Sequence, residues 1–405
     1  MRNKFEEKLK RFSEAVSPNK VIEEDIVVID SVLPSKNPVG PRNSDLIEFI
    51  KKLPNFKYYT MYPMKPGKSA WFDHGYGMEK GTFKENLKSY LKIYPEARGR
   101  VRMLSSKRKY NIKLAYTYFL GETYALLPFL EKNKIPFVFL LNPGGTFGIN
   151  NESSDNMLRE IFSSKYFKKV IVNQKRFEEY LIKKKLCNKS DVIYDFSGSV
   201  QFKKADVKNK KYYKKDKSTF DICFVAAKYS EKGVDKGYDL FIAAAKKLAK
   251  DVSSIRFHVV GGFDENEIDI SDIKNKIKFY GFLPPDKLPN FYSKMDIFLS
   301  PNRASKLHKG NSDGFPLSAG AMYCGVCGFN ADELKLNTEF NSNEVVIIKT
   351  TTNDIVQKVK YYYKNLDRLY AISKNGQKKA QYFYDIEKHI DGRIKLFKQI
   401  TGASK

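Results

Sequence analysis

Short apolar runs alternate with stretches of helical periodicity along the first half of the chain. Residues 25–33 have the apolar pattern of a buried strand, and residues 44–53 after them carry apolar residues at helical spacing. The continuous apolar run of residues 135–141 is typical of a central parallel strand. Further strands are predicted at residues 56–63, 111–119, 170–172 and 192–196, and a helix is predicted through residues 122–130. Strands that alternate with helices in this way predict a doubly wound parallel sheet.

The second half of the chain repeats this alternation of strands and helices. One helix is predicted at residues 238–248, and the tail from Asp354 is also predicted to be helical. The predicted strands of this half are residues 221–227, 255–262, 277–283, 295–301, 326–330 and 344–349. We therefore predict an α/β fold of two Rossmann-like domains that face each other across a cleft, with ligands bound at the carboxyl ends of the strands.

A lysine-rich segment separates the two halves. In residues 203–217 lysine dominates and no amphipathic period is present, which is typical of a linker. The predicted organisation is an N-terminal domain, this linker, a C-terminal domain and a last helix that packs back towards the N-terminal domain. Their predicted ranges are residues 1–202, 203–217, 218–375 and 376–405.

The chain is strongly basic. Its 405 residues suffice for two domains, and 73 Lys and Arg against 46 Asp and Glu give a net charge of +27. Most lysines are spread along the chain, which is typical of solvated surfaces. The alternative is an anionic partner, namely a phosphate-bearing substrate, an anionic membrane surface or nucleic acid. Lysines and tyrosines mix in residues 210–215, so a nucleic-acid-binding protein stays an alternative function, although we do not expect nucleic acid as the partner.

The four cysteines and the N-terminal pattern favour the cytoplasm. Four cysteines in a chain of this length do not form a disulfide scaffold. No apolar run reaches the length of a membrane span, and the N-terminal stretch is charged and amphipathic, unlike a signal peptide. Cys324 and Cys327 have the spacing of a redox motif, but they follow a predicted helix, whereas such motifs begin one. We expect both to be structural.

A basic loop follows the first strand of the second half. It contains Lys228, Lys232 and Lys236, with Gly233 and Gly237 between and after them. Lysines beside a helix N-terminus at a strand end favour a bound diphosphate, because point charges and unpaired amides both attract the anion. A solvated basic turn explains the same pattern equally well.

A second loop, residues 312–325, begins a helix with almost no side-chain chemistry. Pro316 suits the first turn of a helix, whose unpaired amides attract an anion or a sugar hydroxyl. Asp313 can accept hydrogen bonds from hydroxyl groups or cap the helix. The small residues 318–321 allow a ligand or a strand to approach closely. An ordinary packed helix with an aspartate cap is the alternative interpretation.

Taken in series, several segments of the second half resemble glycosyltransferase family 4, the retaining enzymes of the GT-B fold that use nucleotide sugars. The segments are residues 235–248, 255–262, 277–302 and 313–325, in the order and spacing of that family. The resemblance therefore covers the second domain and implies that it binds the nucleotide sugar. The first domain is similar only in its strand–helix pattern and in residues 141–148, which resemble the loop of the acceptor-binding domain that faces the donor phosphates.

The resemblance implies a role for each matching residue. Lys228 and Lys236 match the basic pair that binds the donor diphosphate and stabilises its charge, but their spacing is long, so Lys232 is an alternative partner. Asp313 matches the first glutamate of a Glu-x7-Glu motif that contacts the donor sugar. The remaining expected donor-binding residues are Gly144, Gly145, Gly281, Phe282, His308, Gly314, Phe315, Pro316 and Leu317, and His74 is the expected residue on the acceptor side.

One departure from the family concerns the second motif glutamate. It falls on Gly320 or Ala321, so the acid that usually holds the ribose has no counterpart here. The implied reaction is hexosyl transfer, with retention, from a nucleotide diphosphate sugar (a UDP-sugar is favoured) to a hydroxyl of a glycan or lipid-linked acceptor. We expect no metal and no cofactor, and a role in bacterial surface polysaccharide or glycoconjugate synthesis at the inner face of the membrane. A non-catalytic GT-B scaffold is the other alternative.

Overall fold

The computed structural model describes residues 21–36, 38, 40–64, 76–143, 146–198, 200–228, 230–303 and 318–402. Within these ranges the strands form two parallel sheets, one in each half of the chain. Apolar side chains pack against both faces of each sheet, because helices cover a parallel sheet on both sides. The predicted α/β fold with two Rossmann-like domains is confirmed.

The N-terminal sheet reverses its strand order near its middle. Its described strands are β1 (Ile22–Asp30), β2 (Lys57–Thr60), β3 (Val101–Met103), β4 (Tyr110–Tyr118), β5 (Phe137–Leu141), β6 (Phe167–Val172) and β7 (Val192–Tyr194). They are arranged in the order β3-β2-β1-β4-β5-β6-β7. The reversal lies between β1 and β4, and it opens a crevice at the carboxyl ends of these two strands. β1 ends before the predicted Leu33, whose amide donates to the Tyr58 hydroxyl (3.2 Å) instead of to a neighbouring strand.

Helices connect the strands of this sheet and cover its faces. They are α1 (Pro41–Lys52), α2 (Lys80–Ile93), α3 (Leu120–Lys132), α4 (Glu152–Ser163) and α5 (Lys175–Lys183). α1 begins with Pro41, whose missing N–H costs nothing at the first helical position. α4 is capped by Asn151, whose side chain accepts a hydrogen bond from the Ser154 amide (3.0 Å).

The C-terminal sheet has the same design. Its described strands are β8 (Phe220–Ala226), β9 (Ile255–Gly261), β10 (Ile277–Phe279), β11 (Ile297–Ser300), β12 (Cys327–Ala331) and β13 (Val346–Ile348). Their order is β10-β9-β8-β11-β12-β13, so the reversal lies between β8 and β11. β10 is shorter than the predicted strand of residues 277–283, because the chain turns at Gly281, where φ is +62°.

The last helix of the chain packs on the N-terminal domain. The helices of the second half are α6 (Tyr238–Asp251), α7 (Leu288–Tyr292), α8 (Ala319–Tyr323), α9 (Thr352–Lys364), α10 (Leu366–Phe383) and α11 (Ile386–Thr401). Phe397 of α11 is fully buried, with its ring 6.0 Å from that of Phe49 in α1 and 5.1 Å from that of Tyr116 in β4. The chain therefore crosses twice between the domains. In the described part of the chain, no helix has both the length and the apolar character needed to cross a membrane.

The lysine-rich segment 203–217 packs against the C-terminal sheet. Tyr213 is buried, its ring lies 5.6 Å from that of Phe220, and Lys217 forms ion pairs with Asp221 and Asp296. Tyr213 and Lys217 thus anchor this segment to the C-terminal sheet, although its composition is typical of a solvated linker.

The two cysteines with redox-like spacing are part of the core. α8 ends directly before Cys324, and Cys327 begins β12. Burial raises the pKa of the Cys324 thiol to about 12 and raises that of Cys327 as well. Both thiols therefore stay protonated near neutral pH, the state in which a cysteine is a poor nucleophile.

Candidate active site

The basic loop between β8 and α6 lies at the carboxyl edge of the C-terminal sheet. Lys228 follows the end of β8, and Lys232 is exposed at a turn where its φ is +52°. Lys236 differs from both, because it is buried to 6% exposure and is separated from the start of α6 only by Gly237. Two of the three predicted basic residues therefore lie at the ends of this loop, and only Lys236 is enclosed by protein.

Contacts with the end of β11 hold this loop in place. Gly237 has φ of +71°, and a Cβ atom added there would overlap the Pro301 carbonyl oxygen. The Arg303 amide donates to the Asp235 carbonyl (3.1 Å), and the Arg303 guanidinium pairs with Asp239 in the first turn of α6 (2.8 Å). The loops after β8 and β11 thus meet at the reversal point, where ligands bind in open sheets of this kind.

Burial changes the titration of Lys236. Removal from water lowers the pKa of its ammonium below the ordinary 10.5, and the neighbouring Asp235 opposes this effect only in part. A bound diphosphate would place further negative charge beside this ammonium and so oppose the lowering of its pKa. Lys236 is therefore a better candidate for the diphosphate than the exposed Lys232.

Lys228 is paired with a carboxylate that the sequence did not single out. Its ammonium is bonded to Glu267, which lies in the acidic segment after β9. The Glu267 side chain is only 14% exposed, whereas Glu265 and Asp269 in the same segment are 52% and 75% exposed. The acidic segment is therefore exposed to solvent at these two neighbours and enclosed at Glu267.

Phe282 presents an apolar ring beside Lys228. The ring is on a side chain that is 75% exposed, directly after the turn at Gly281. A Cβ atom added to Gly262 would lie 3.4 Å from the Phe282 ring and 3.7 Å from Cβ of Lys228. The side chains of Phe282 and Lys228 therefore border the same glycine at the carboxyl ends of β8 and β9. An exposed aromatic ring next to a cation suits a planar group that carries phosphate.

Several predicted site residues lie outside the described residues. They are His74, Gly144, Gly145, His308, Asp313, Gly314, Phe315, Pro316 and Leu317. The positions that match the second motif glutamate, Gly320 and Ala321, are in α8, and Ala321 is fully buried.

Sequence analysis missed Glu267, Asp235 and Arg303. The acidic composition around Glu267 is visible in the sequence, but its pairing with Lys228 depends on the conformation of the loop after β9. No sequence pattern marked Arg303 as functional, apart from its position shortly after a predicted strand. Among the described residues, no three His, Cys, Asp or Glu side chains are grouped so that they could hold a metal ion.

Residues 207–379, which contain this edge of the sheet, match the family described as glycosyl transferases group 1. The match covers the C-terminal domain and less than half of the chain. The resemblance to glycosyltransferases that the sequence motifs indicate is thereby confirmed for the domain that carries Lys228, Lys236 and Phe282. No curated protein sequence matches the chain significantly.

Solved structures of glycosyltransferases are similar over nearly the whole chain. Sucrose-phosphate synthase from Thermosynechococcus elongatus is 12% identical with a TM-score of 0.63, over 94% of this chain and 100% of that chain. HepE from Anabaena, in complex with UDP and glucose, is 14% identical with a TM-score of 0.61, over 92% and 100%. A glycosyltransferase from Rickettsia africae is 12% identical with a TM-score of 0.64, over 94% and 100%. At these identities the likeness establishes the fold alone, which is GT-B.

Proposed function

We propose that this group 1 glycosyltransferase is a retaining enzyme that moves a hexose from a nucleotide diphosphate sugar to a hydroxyl of a glycan or lipid-linked acceptor. The observation that carries the proposal is the exposed Phe282 ring and Lys228, which border the same glycine at the carboxyl ends of β8 and β9, with Lys236 in the loop that follows β8. A nucleotide sugar has an aromatic base and a diphosphate, and this edge offers one group for each. The similar structure of HepE with UDP supports a UDP-sugar as the donor.

Each of these residues has a defined task in the proposed reaction. The Phe282 ring stacks on the nucleobase, and the ammonium groups of Lys228 and Lys236 bind the diphosphate oxygens. Negative charge grows on the diphosphate as the bond to the sugar breaks, so the same two lysines stabilise the transition state. The leaving phosphate accepts the acceptor's proton, so the proposal needs no protein base. Asp313, by its match to the family motif, contacts the donor sugar.

The positive charge of two lysines takes the role that a divalent ion has in other transferases. This supports the expectation that the reaction needs neither metal nor cofactor. A titration of activity with a chelator tests it, and unchanged turnover is the expected result.

A row of lysines on α2 supports binding to an anionic membrane surface, where a lipid-linked acceptor would be found. Lys80, Lys84, Lys88 and Lys92 recur every fourth residue, and all four are exposed. Residues at this spacing share one face of a helix. Such a face attracts anionic lipid headgroups, which supports the proposed role in surface polysaccharide or glycoconjugate synthesis at the membrane.

Calorimetric titration with UDP, GDP, CDP and ADP tests the proposed donor site. We expect UDP to bind and Lys228→Ala to weaken it by about ten-fold or more, as the loss of one charged contact implies. Lys250→Ala is the matched control, because it removes the same charge at the exposed far end of α6. Equal affinity of both variants for UDP would contradict the assignment of Lys228.

A further inference from the structure

A cavity of about 510 Å³ opens between α7 and the segment that leads into β8. We call it the α7 cavity. Its volume is within the range of about 300–1,000 Å³ that is usual for small-molecule sites. The cavity is separate from the candidate donor site, because none of Lys228, Lys236 and Phe282 lines it. The lining residues that decide its chemistry are Lys211, Asp221, His258, Tyr280, Leu283 and Lys294.

A chain of hydrogen bonds holds one wall of the α7 cavity in place. Asp221 Oδ1 lies 2.7 Å from His258 Nε2, and His258 Nδ1 lies 2.9 Å from the Tyr280 hydroxyl. The other Asp221 oxygen accepts bonds from Lys217 and from the Thr219 hydroxyl. Burial alone would raise the pKa of Asp221, but the bonds from His258 and Lys217 lower it to about 2. Both oxygens of this carboxylate therefore have protein partners, and Tyr280 is fixed as part of the wall.

Two neighbouring lysines of the lining have no carboxylate partner among the described residues. The Lys211 amide donates to the Ser293 carbonyl (2.8 Å), which brings Lys211 beside Lys294. Both lysines are exposed, whereas Lys217 and Lys287, which also line the cavity, are paired with carboxylates. The lining contains four lysines and two aspartates, so positive charge is in excess. Two adjacent ammonium groups attract a doubly charged anion such as a phosphomonoester.

The rest of the α7 cavity offers an apolar surface. Leu283 is half-buried, and Phe291 and Met295 are 7% and 2% exposed. The Phe291 ring lies 5.2 Å from that of Tyr280, at an angle of 74°. Apolar side chains beside two ammonium groups suit a ligand in which an apolar body is joined to an anionic group. Inorganic phosphate alone would leave this apolar surface in contact with water.

One short turn borders both the α7 cavity and the candidate donor site. Tyr280 and Leu283 line the cavity, and Phe282 between them is 75% exposed at the donor site. The turn is made at Gly281, where φ is +62°, and the Gly281 carbonyl accepts a bond from the Gly261 amide (2.9 Å). A ligand that contacts Tyr280 and Leu283 therefore restricts the segment that carries Phe282. Ordering this ring in advance lowers the entropic cost of donor binding.

We propose that the α7 cavity binds a small phosphomonoester with an apolar body, and that this ligand strengthens donor binding. Its phosphate lies between the ammonium groups of Lys211 and Lys294, and its apolar body contacts Leu283 and Phe291. The second part of the proposal rests on the proposed function, because it concerns the nucleotide sugar. The apolar body is either the ring of a soluble phosphate ester or the alkyl chain of a lipid phosphate, and the chemistry that the cavity recognises is the same for both.

Calorimetric titration with phenyl phosphate, octyl phosphate below its micelle concentration and inorganic phosphate tests the site itself. We expect at least one of the two esters to bind about ten-fold or more tightly than inorganic phosphate, because only the esters bury apolar surface. Tighter binding of phenyl phosphate would indicate a soluble ring compound, and tighter binding of octyl phosphate a lipid. If neither ester bound, or if inorganic phosphate bound equally well, the proposal would be overturned.

The double variant Lys211→Ala and Lys294→Ala should weaken binding of the preferred ester by about ten-fold or more. Both side chains are exposed, so the fold should be retained. Lys374→Ala with Lys378→Ala is the matched control, because it removes the same charge from exposed positions on α10. Equal losses in the two double variants would show attraction by net charge alone and would contradict a site between Lys211 and Lys294.

Two single variants separate the α7 cavity from the donor site. Leu283→Ala should reduce the preference for the ester over inorganic phosphate, because it shortens the apolar wall. Lys228→Ala should leave the affinity for the ester unchanged. A loss of ester binding in Lys228→Ala, or displacement of the ester by UDP, would place the ester in the donor site and overturn the proposal.

Titration with UDP, with and without a saturating concentration of the preferred ester, tests the coupling. We expect the ester to strengthen UDP binding about five-fold, and UDP to strengthen ester binding by the same factor. The double variant Lys211→Ala and Lys294→Ala should bind UDP normally and lose this gain. Unchanged or weaker UDP binding in the presence of the ester would overturn the second part of the proposal. If UDP did not bind at all while the ester bound as expected, the proposed function would fail and the ligand class of the α7 cavity would stand.

Discussion

The Lys228 ammonium, placed by the end of β8, is bonded to Glu267, a carboxylate from the loop after β9. Under the proposed function, a donor diphosphate would share this ammonium with Glu267 or displace the carboxylate. The ion pair would then reduce the affinity for the donor, because part of the gain from the lysine is offset by the loss of its protein partner.

Glu267→Gln is expected to strengthen UDP binding, because the competing charge is removed while the side chain keeps its shape. An ion pair of this partly exposed kind contributes about 0.2–1 kcal/mol, so the gain in affinity should be about 1.4-fold to five-fold. Titration calorimetry measures it. Glu265→Gln is the control, since Glu265 is exposed in the same loop and pairs with Lys274. Weaker UDP binding in Glu267→Gln would show that this carboxylate assists the donor instead.

UDP affinity is expected to fall as pH rises from neutrality towards 10.5. Burial lowers the pKa of Lys236 in the free protein, and a bound diphosphate raises it again, so binding takes up a proton. Affinity is greatest where Lys236 is protonated and is lost as pH rises through its pKa in the free protein. Titrations across this range measure the slope.

Two arginine variants decide which lysine causes this pH dependence. Lys236→Arg should flatten it, because arginine stays charged over the whole range, and Lys232→Arg should leave it unaltered. If the slope disappeared in Lys232→Arg and persisted in Lys236→Arg, the exposed Lys232 would be the true partner of Lys228.

Gly237→Ala is expected to destabilise the protein and to raise KM for the donor. Alanine at the left-handed φ of this position costs about 1–2 kcal/mol, and its Cβ atom would also overlap the Pro301 carbonyl. Thermal unfolding and donor kinetics measure the two effects. Gly392→Ala is the matched control, because it lies inside α11 with open space around it and should stabilise by about 0.5–1 kcal/mol. An unchanged KM for the donor in Gly237→Ala would show that this turn does not contribute to donor binding.

The double variant Lys84→Glu and Lys88→Glu should lose affinity for vesicles that contain anionic lipid. Each lysine near such a surface contributes about 1 kcal/mol, and charge reversal adds repulsion. Vesicle sedimentation at two salt concentrations measures the effect, which should shrink as salt increases. Lys374→Glu with Lys378→Glu is the control, because these exposed residues have the same spacing on α10. Equal losses in both double variants would indicate a response to net charge alone.

The regular part of the fold could be predicted from the sequence. β5 and β8 are apolar runs bounded by turn residues, and α6 has a clear apolar face, so local pattern alone identifies them. β3 went unpredicted, because a three-residue edge strand has too little pattern to stand out. The packing of Tyr213 against the C-terminal core was missed for a different reason, because the lysine-rich sequence on both sides of it is typical of a solvated segment.

The candidate donor site was partly predictable from the sequence, whereas a charged group in the N-terminal domain was not. Lys228 and Phe282 match motifs that occupy short stretches of sequence. Asp30 at the end of β1 and Glu122 at the start of α3 are far apart in the sequence, and the strand order that places β1 beside β4 brings them together. Their meeting depends on topology, which one sequence does not display.

Nucleotide release across a panel of UDP-, GDP-, CDP- and ADP-sugars tests the central claim most directly. We predict release from a UDP-sugar, transfer with retained anomeric configuration, and turnover that falls far more than stability in Asp313→Ala. Lys228→Ala should also lose turnover while Lys250→Ala keeps it. If no donor released its nucleotide, and if none of the four nucleoside diphosphates raised the thermal unfolding temperature, the protein would not be a nucleotide-sugar transferase.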